Sequence, residues 1–353
     1  MELIVRGSEY ESFLTCRKQW YYRWIENLEP KKPDKKLFIG TLFHKWLENY
    51  YNANCEKLSA DFETTMWFND QDKTDMEQTD IDEVLDLCKK MADYYDETYR
   101  DQDKQTKTLA TELNFIVKLD DSIYYTGTID RVYERPDGKI RFMDHKTASS
   151  ISQYEEKSKM DRQISRYWWA LQQISAGIGK VKDAHGNWVP FKEIEGKEIS
   201  GFDYNLIAKD YPKEPKVLKS GKLSMDKNQK TTYKKFVNKL HEMGLSAFPS
   251  EYEDYLKFLM EKPDPFLKRI NVIRTQNELD AAIWEFFYTA GDMHDVKMIV
   301  TRQPEMAEQI TYRNIGLHCE TFCPFKSLCQ TTIEGGNVSL VKNLGYKQKE
   351  EIK

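Results

Sequence analysis

The chain has 353 residues, of which 40% are hydrophobic and 13% aromatic, which excludes a disordered polymer and leaves room for a large core and two subdomains. No apolar run reaches the length of a membrane span and the first residues lack a signal peptide's apolar region, so a cytoplasmic protein without membrane contact is expected. The net charge of −5 is segregated: residues 61–103 hold fifteen acids against four bases, and residues 209–239 hold ten lysines against three acids.

In chain order, Ser8 and Glu11 have the spacing of a capping box, which predicts a helix over 8–27. A basic, Pro-punctuated linker over 31–36 follows. A second helix carries Gly40, His44, Trp46, Leu47 and Tyr50. The acidic block has helical periodicity through Ile81, Val84, Leu85, Cys88, Met91, Tyr95 and Tyr99 and reads as a solvated helix on one flank. Strands over 113–119, 123–134 and 139–145 predict an antiparallel meander. A single helix over 154–175 carries Gln163, Arg166 and Tyr167. A returning strand is expected over 202–208. The lysine block, broken by Pro212, Pro215 and Gly221, is loop-like and leads to a helix near 251–261. A strand over 267–274 and a helix over 277–290, with Thr275 as its cap, come last before a cysteine-rich end. There is no internal repeat. No Gly-x4-Gly-Lys-Ser/Thr loop is present, so no intrinsic ATPase is expected.

The stretch 127–146 is the most informative. Pro136, Asp137 and Gly138 suit a three-residue hairpin loop with a glycine bulge. Arg135 then faces Lys139, and counting back in this register sets Asp130 opposite Asp144. Side chains alternate along a strand, so Asp144 and Lys146 share a face and His145 points away. Two carboxylates and an amine at one point can bind a divalent metal and activate water. The same residues could instead form cross-strand ion pairs on an exposed hairpin. Gln163 and Tyr167, four apart, share one helical face.

Six cysteines are present: Cys16, Cys55, Cys88, Cys319, Cys323 and Cys329. Without an export signal, disulfides are not expected.

Taken together, these parts resemble the RecB-like branch of the PD-(D/E)xK nuclease superfamily, which includes CRISPR-associated RecB-like nucleases, AddB-type nuclease domains and many phage exonucleases. Residues 13–22 (FLTCRKQWYY) look like its opening helix and 40–44 (GTLFH) like its metal-histidine motif. Gly127 to Asp130 and Asp144 to Lys146 look like its acidic motifs, Gln163 and Tyr167 like its Gln-x3-Tyr motif, and the terminal cysteines like its iron–sulfur motif. The match runs in order over 8–175 and 265–330. The terminal spacing is Cys-x3-Cys-x5-Cys, where the family usually has Cys-x2-Cys-x5-Cys.

The resemblance implies an α/β fold: a restriction-endonuclease-like core with a central mixed β-sheet flanked by helices. It implies a helical region over 1–110, a nuclease core over 111–208, a Lys-rich insertion over 209–264 and a C-terminal region over 265–353. It assigns Asp130 and Asp144 as ligands of Mg²⁺ or Mn²⁺, with the His44 imidazole and the His145 carbonyl as further ligands. Lys146 would orient water and stabilise charge, and Gln163 and Tyr167 would hold Lys146 or the scissile phosphate, where the bland alternative is a helix–sheet contact. Glu112, at the start of the first strand, is expected to have a surface role, with membership of the acidic site as the alternative. Cys16, Cys319, Cys323 and Cys329 would ligate a [4Fe–4S] cluster of structural role, with zinc as the alternative and His318 as its substitute ligand. Cys55 and Cys88 stay unliganded. The expected activity is a DNA exonuclease leaving a 5′-phosphate, acting on single strands or free ends alongside recombination or replication proteins. Lys216, Lys219, Lys222, Lys227 and Lys230 would contact the strand, and Tyr211 and Tyr233 could stack bases. The competing readings are a non-catalytic DNA-binding scaffold on a nuclease fold and a CRISPR-adaptation-like end trimmer.

Overall fold

The structure, a computed structural model, describes residues 2–31, 35–71, 77–152, 154–245, 249–321 and 323–349. Residues 32–34 of the expected linker and 72–76 of the acidic block lie outside the described residues.

The core is one mixed eight-stranded sheet. The chain enters through β1 (Leu3–Arg6), a strand absent from the sequence reading because four residues running straight into a helix carry no turn signal. A short β2 (Leu28–Pro30) lies apart from the sheet. The sheet continues with β3 (Lys107–Lys118), β4 (Ile123–Glu134), β5 (Ile140–Ala148), β6 (Lys180–Lys182), β7 (Trp188–Val189), β8 (Ile199–Ala208) and β9 (Leu267–Val272). Their spatial order is β7-β6-β3-β4-β5-β8-β9, and β1 adds itself alongside β4. The β1–β4 and β5–β8 pairs are parallel and the rest antiparallel.

The β4–β5 hairpin closes in the register the turn dictates. Arg135 N–H donates to the Lys139 carbonyl at 3.0 Å, and Gly138, at φ 78°, takes the left-handed position that a side chain would strain. The ladder then runs Glu134–Ile140, Tyr133–Arg141, Val132–Phe142 and Arg131–Met143, and there it stops. The same edge of β4 is taken up again by β1, from Arg6–Thr126 to Leu3–Ile123. Residues 127–130 therefore occupy a fork in which neither β1 nor β5 pairs with that edge.

Helices cover both faces of the sheet. Helix α1 (Gly7–Thr15) leads to α2 (Arg17–Trp20), with a break at the extended Cys16, and five π-helical residues follow. The expected capping box does not form: the helix starts at Gly7, and Glu11 instead accepts from Arg166 Nη2 at 2.8 Å. Helices α3 (Lys35–Asn52), α4 (Lys57–Asn69) and α5 (Gln78–Asp103) pack Leu42, Phe43, Tyr50, Val84 and Tyr95 against Met143 and Ile207. The predicted helix over 154–175 is two helices, α6 (Tyr154–Met160) and α7 (Arg162–Ser175), because Asp161 turns the chain and caps α7 by accepting from Gln163 N–H at 2.8 Å.

The lysine block is less loop-like than its prolines suggest. It leads into α8 (Tyr233–Glu242) and α9 (Glu253–Glu261), and Leu223, Phe236, Leu240, Tyr252 and Tyr255 bury a small core of their own. Helix α10 (Gln276–Arg302) has Thr275 as its cap, in a full capping box with Glu278. It packs Phe286 and Met293 into the same core as Ile129, Phe142, Trp168 and Leu171. Short helices α11 (Ala307–Ile310), α12 (Leu317–Thr321), α13 (Lys326–Ile333) and α14 (Val338–Gly345) precede β10 (Tyr346–Gln348), which pairs with β2. No described helix is long and apolar enough to cross a membrane.

Candidate active site

The fork in β4 shapes the site. Where β5 leaves the ladder, its His145 N–H is taken by the Asp130 carboxylate, Oδ2, at 2.6 Å. Asp130 thus leans towards β5 on the α3 side, where His44 Nδ1 lies 3.9 Å from the same oxygen. Lys146 Nζ pairs with Asp144 Oδ2 at 2.7 Å and donates to Gln163 Oε1 at 3.1 Å. Gln163 Nε2 donates back to Asp144 Oδ1 at 3.2 Å, which closes a three-residue ring of contacts. The α7 cap at Asp161 aims Gln163 there. Tyr167, one turn on, is buried with its ring edge on Phe115. Gly127 makes this close approach feasible, because a Cβ there would come within 3.1 Å of both the Phe115 and Tyr167 rings.

The charges are poised for a cation. Burial raises Asp130 to about 6, against the opposing pull of Lys146. Burial likewise raises Asp144 to about 6, Lys146 lowers it, and Asp130 adds to the rise. Burial holds His44 down at about 4, so its imidazole is neutral at neutral pH. For Lys146 burial favours the neutral amine, but Asp144 and Asp130 outweigh it and hold the group charged.

Glu112 stands with the acidic site, the alternative to the surface role expected for it. It lines a cleft of about 460 Å³ together with Asp130, His44, Glu48 and Lys209. It lies between Thr111 and Leu113, which pair with Arg131 and Ile129, and so stands level with Asp130. Its φ of 46° is left-handed, a strained setting for glutamate in mid-strand. Burial first, then Asp130 and Glu48, push its carboxyl up to about 8.

His145 points away, as alternation requires, and its surroundings are a buried polar network. Its Nδ1 meets Asn205 Nδ2 at 2.8 Å, and the ring stacks on Tyr51. Asn205 donates to the Tyr95 hydroxyl at 2.8 Å, and Arg269 donates to Tyr95 and to both oxygens of Asp103. An asparagine in the apolar β8 sequence was the one available signal for this support.

The four cysteines gather where the chain's ends meet. Cys16 lies between α1 and α2, Lys18 N–H donates to the Tyr312 carbonyl at 3.2 Å, and Asn314 donates to the Thr15 carbonyl at 3.2 Å. Burial raises the thiols of Cys323 and Cys329; Cys329, Cys16 and Cys319 add to the rise at Cys323, whereas at Cys329 Arg313 opposes it and Cys16 adds to it. Cys55 and Cys88 are buried elsewhere, in the α3–α5 core. Among the described residues, no group of three or more His, Cys, Asp or Glu side chains is placed to hold a metal ion.

The predicted strand-contacting lysines divide. Lys222 pairs with Glu251, Lys230 with Asp210, and Lys227 lies over the Phe258 ring, while Lys216 and Lys219 make no ion pair among the described residues. Tyr211 is flanked by Lys90 and Lys213, so its ring is less open for stacking than expected, and Tyr233 is 36% exposed. Lys234 reaches Glu97 on the acidic helix, so the two segregated charge blocks partly neutralise each other.

The family model of the PD-(D/E)XK nuclease superfamily matches residues 7–330. No curated protein matches the chain.

Proposed function

The chain belongs to the PD-(D/E)XK nuclease superfamily, and on that premise we propose that it is a metal-dependent deoxyribonuclease working through Asp130, Asp144 and Lys146. The observation that carries this reading is the ring of contacts joining Lys146, Asp144 and Gln163 beside a second carboxylate drawn in by the His145 N–H.

The donor set fits a hard divalent ion. Two carboxyls raised by burial, Asp144 pushed further by Asp130, beside a neutral imidazole, are relieved by a cation. Asp130, Asp144, His44 and the His145 carbonyl would hold Mg²⁺ or Mn²⁺. When bound, the ion supplies Lewis-acid polarisation of the phosphoryl oxygen and a more acidic water. Lys146 keeps its proton, so it acts as a fixed positive charge towards the oxygens that gain charge as water adds to phosphorus. The bond from water oxygen to phosphorus forms as the bond to O3′ breaks, and O3′ gains the proton, leaving a 5′-phosphate. Gln163 holds both Lys146 and Asp144 in place, and Tyr167 supports the turn of α7 from which Gln163 projects.

An exonuclease of recombination, repair or phage DNA processing is the finer reading, in a cytoplasmic setting and alongside recombination or replication proteins. The sequence carries no recognition helix-turn-helix or zinc finger to direct site-specific cutting. Lys216 and Lys219 are the insertion's best placed contacts for a strand. The four gathered cysteines suit a structural [4Fe–4S] cluster, with zinc as the alternative. The test is cleavage of end-labelled single- and double-stranded DNA beside a closed circle, with Mn²⁺. Degradation of linear forms alone, lost in Asp144→Ala, is expected. Intact DNA in every form with the metal-loaded chain overturns the catalytic reading in favour of a DNA-binding scaffold.

A further inference from the structure

A second cleft, of about 640 Å³, opens at the fork on the other side of the catalytic ring. The first turn of α1, residues 126–128 of β4 and the start of α7 enclose it. Gln163 lines this cleft while touching Asp144 and Lys146, so the cleft adjoins the reacting centre.

Its chemistry is that of an anion site. Arg6, Arg23 and Arg166 line it against one carboxylate, Glu11. Arg6 and Arg23 are exposed, and Arg23 makes no ion pair among the described residues. Arg166 is different: it is 1% exposed and stacked 4.5 Å over the Tyr10 ring. Its Nη2 donates to Glu11 and the Tyr125 hydroxyl adjoins the guanidinium, but its Nε and Nη1 make no hydrogen bond of good geometry. A buried guanidinium with unused donors is costly unless something else completes it. The nine-residue helix α1 also begins here without a side-chain cap, so its partial positive end faces the same space. The guanidinium, the helix end and two exposed arginines all favour an anion with several oxygens. Glu11 now supplies one carboxylate to Arg166 from a side chain that is 47% exposed.

We propose that this cleft is a second phosphate subsite, holding a phosphate of the nucleic-acid strand whose neighbouring bond lies at Asp144 and Lys146. The proposal rests on the nuclease reading and deepens it. A terminal monoester and an internal diester share the required chemistry, and the experiment separates them.

Binding is measured by fluorescence anisotropy with the full Asp144→Asn chain, and with the wild-type chain in EDTA, so that neither cleavage nor a folding defect of one variant decides the result. The probes are single-stranded oligonucleotides with 5′-phosphate, 5′-hydroxyl or 3′-phosphate ends, or with one neutral methylphosphonate linkage. Arg6→Gln/Arg23→Gln, both at exposed positions, should weaken binding about tenfold and reduce the salt slope by about 0.7. In active protein the loss should appear in KM more than in kcat. Glu11→Gln should strengthen binding by releasing Arg166. A loss on removing an end phosphate, seen in the parent and not in the double variant, assigns a terminal monoester. The same pattern for an internal methylphosphonate assigns a diester. Unchanged affinity and salt slope in a double variant that melts like its parent overturn the subsite. Cleavage without an arginine effect would keep the nuclease and remove the subsite, whereas arginine-dependent binding without cleavage would do the reverse.

Discussion

The His145 N–H donates to Asp130 Oδ2 at 2.6 Å, so a side chain of β4 takes the place that a backbone carbonyl would hold in the ladder. The bond fixes Asp130 at the point where the strands part. Asp130→Asn keeps an acceptor there and removes the charge. We expect metal-dependent cleavage to fall by about 10³-fold, with native circular dichroism retained. Single-turnover cleavage of labelled DNA measures this.

The same substitution should stabilise the metal-free protein. The Asp130 carboxyl titrates near 6 when folded, because of burial, against about 4 when unfolded. A raised folded pKa means that the folded state binds the proton more tightly. Stability is therefore lost as pH rises through 4 towards 6, and stays lost above. Asp130→Asn should gain about 2 kcal/mol over wild type at pH 7.5 without metal. The difference should vanish near pH 4. Urea unfolding at the two pH values reads both numbers, and a gain that is larger at pH 4 would contradict the assignment.

Metal affinity should follow the same carboxyls with the opposite consequence for function. Both Asp130 and Asp144 titrate near 6, so protons compete with the ion below that pH. Mn²⁺ affinity should be flat above pH 7 and drop steeply below 6. Calorimetry in buffers of different ionisation enthalpy should show proton release that grows as pH falls from 7 towards 6.

Gln163 is a positioning residue, in contact with Lys146 and Asp144 at once. Gln163→Ala should lower kcat about 10- to 100-fold, with a smaller change in KM. Gln163→Glu should be worse, because its second oxygen would face Asp144 where the amide now donates. A KM effect alone would move Gln163 from the catalytic ring to substrate binding.

Purification without air tests the cysteines. The protein should be brown with a broad visible charge-transfer band, and Cys323→Ser should lose both colour and thermal stability. Cys55→Ala and Cys88→Ala should keep the colour. Colourless protein holding zinc and no iron would assign the alternative metal.

Much of the fold was legible because local signals were strong. The Pro136-Asp137-Gly138 turn dictated a register that the hairpin adopts, and Thr275 marked the start of α10. Other features depend on partners remote in sequence. β1 is strand only because β4 offers it a parallel edge, and the helix over 154–175 breaks because Asp161 caps the second half and bonds the Tyr204 hydroxyl. The juxtaposition of Asp130, Asp144 and Lys146 could be counted from one turn. The placement of Glu112 could not, since it needs a left-handed residue in mid-strand, and neither could the Asn205–His145 contact, which joins two strands paired in parallel.

The meeting of Cys16 and Lys18 with residues 308–329 bears on how the molecule is made. The buried Lys18 ammonium pairs with Glu308, and Cys16 lies about 300 residues from Cys319. Closing so long a loop costs entropy that is recovered only once both sides are present, so this junction should form late, after residues 308–329 have been made. A cluster bridging it would act on the unfolded chain much as circularisation does, worth about 6 kcal/mol in the chain-entropy limit. Its loss would then be felt as a fall in the stability of the whole molecule rather than as a local loosening at its ends.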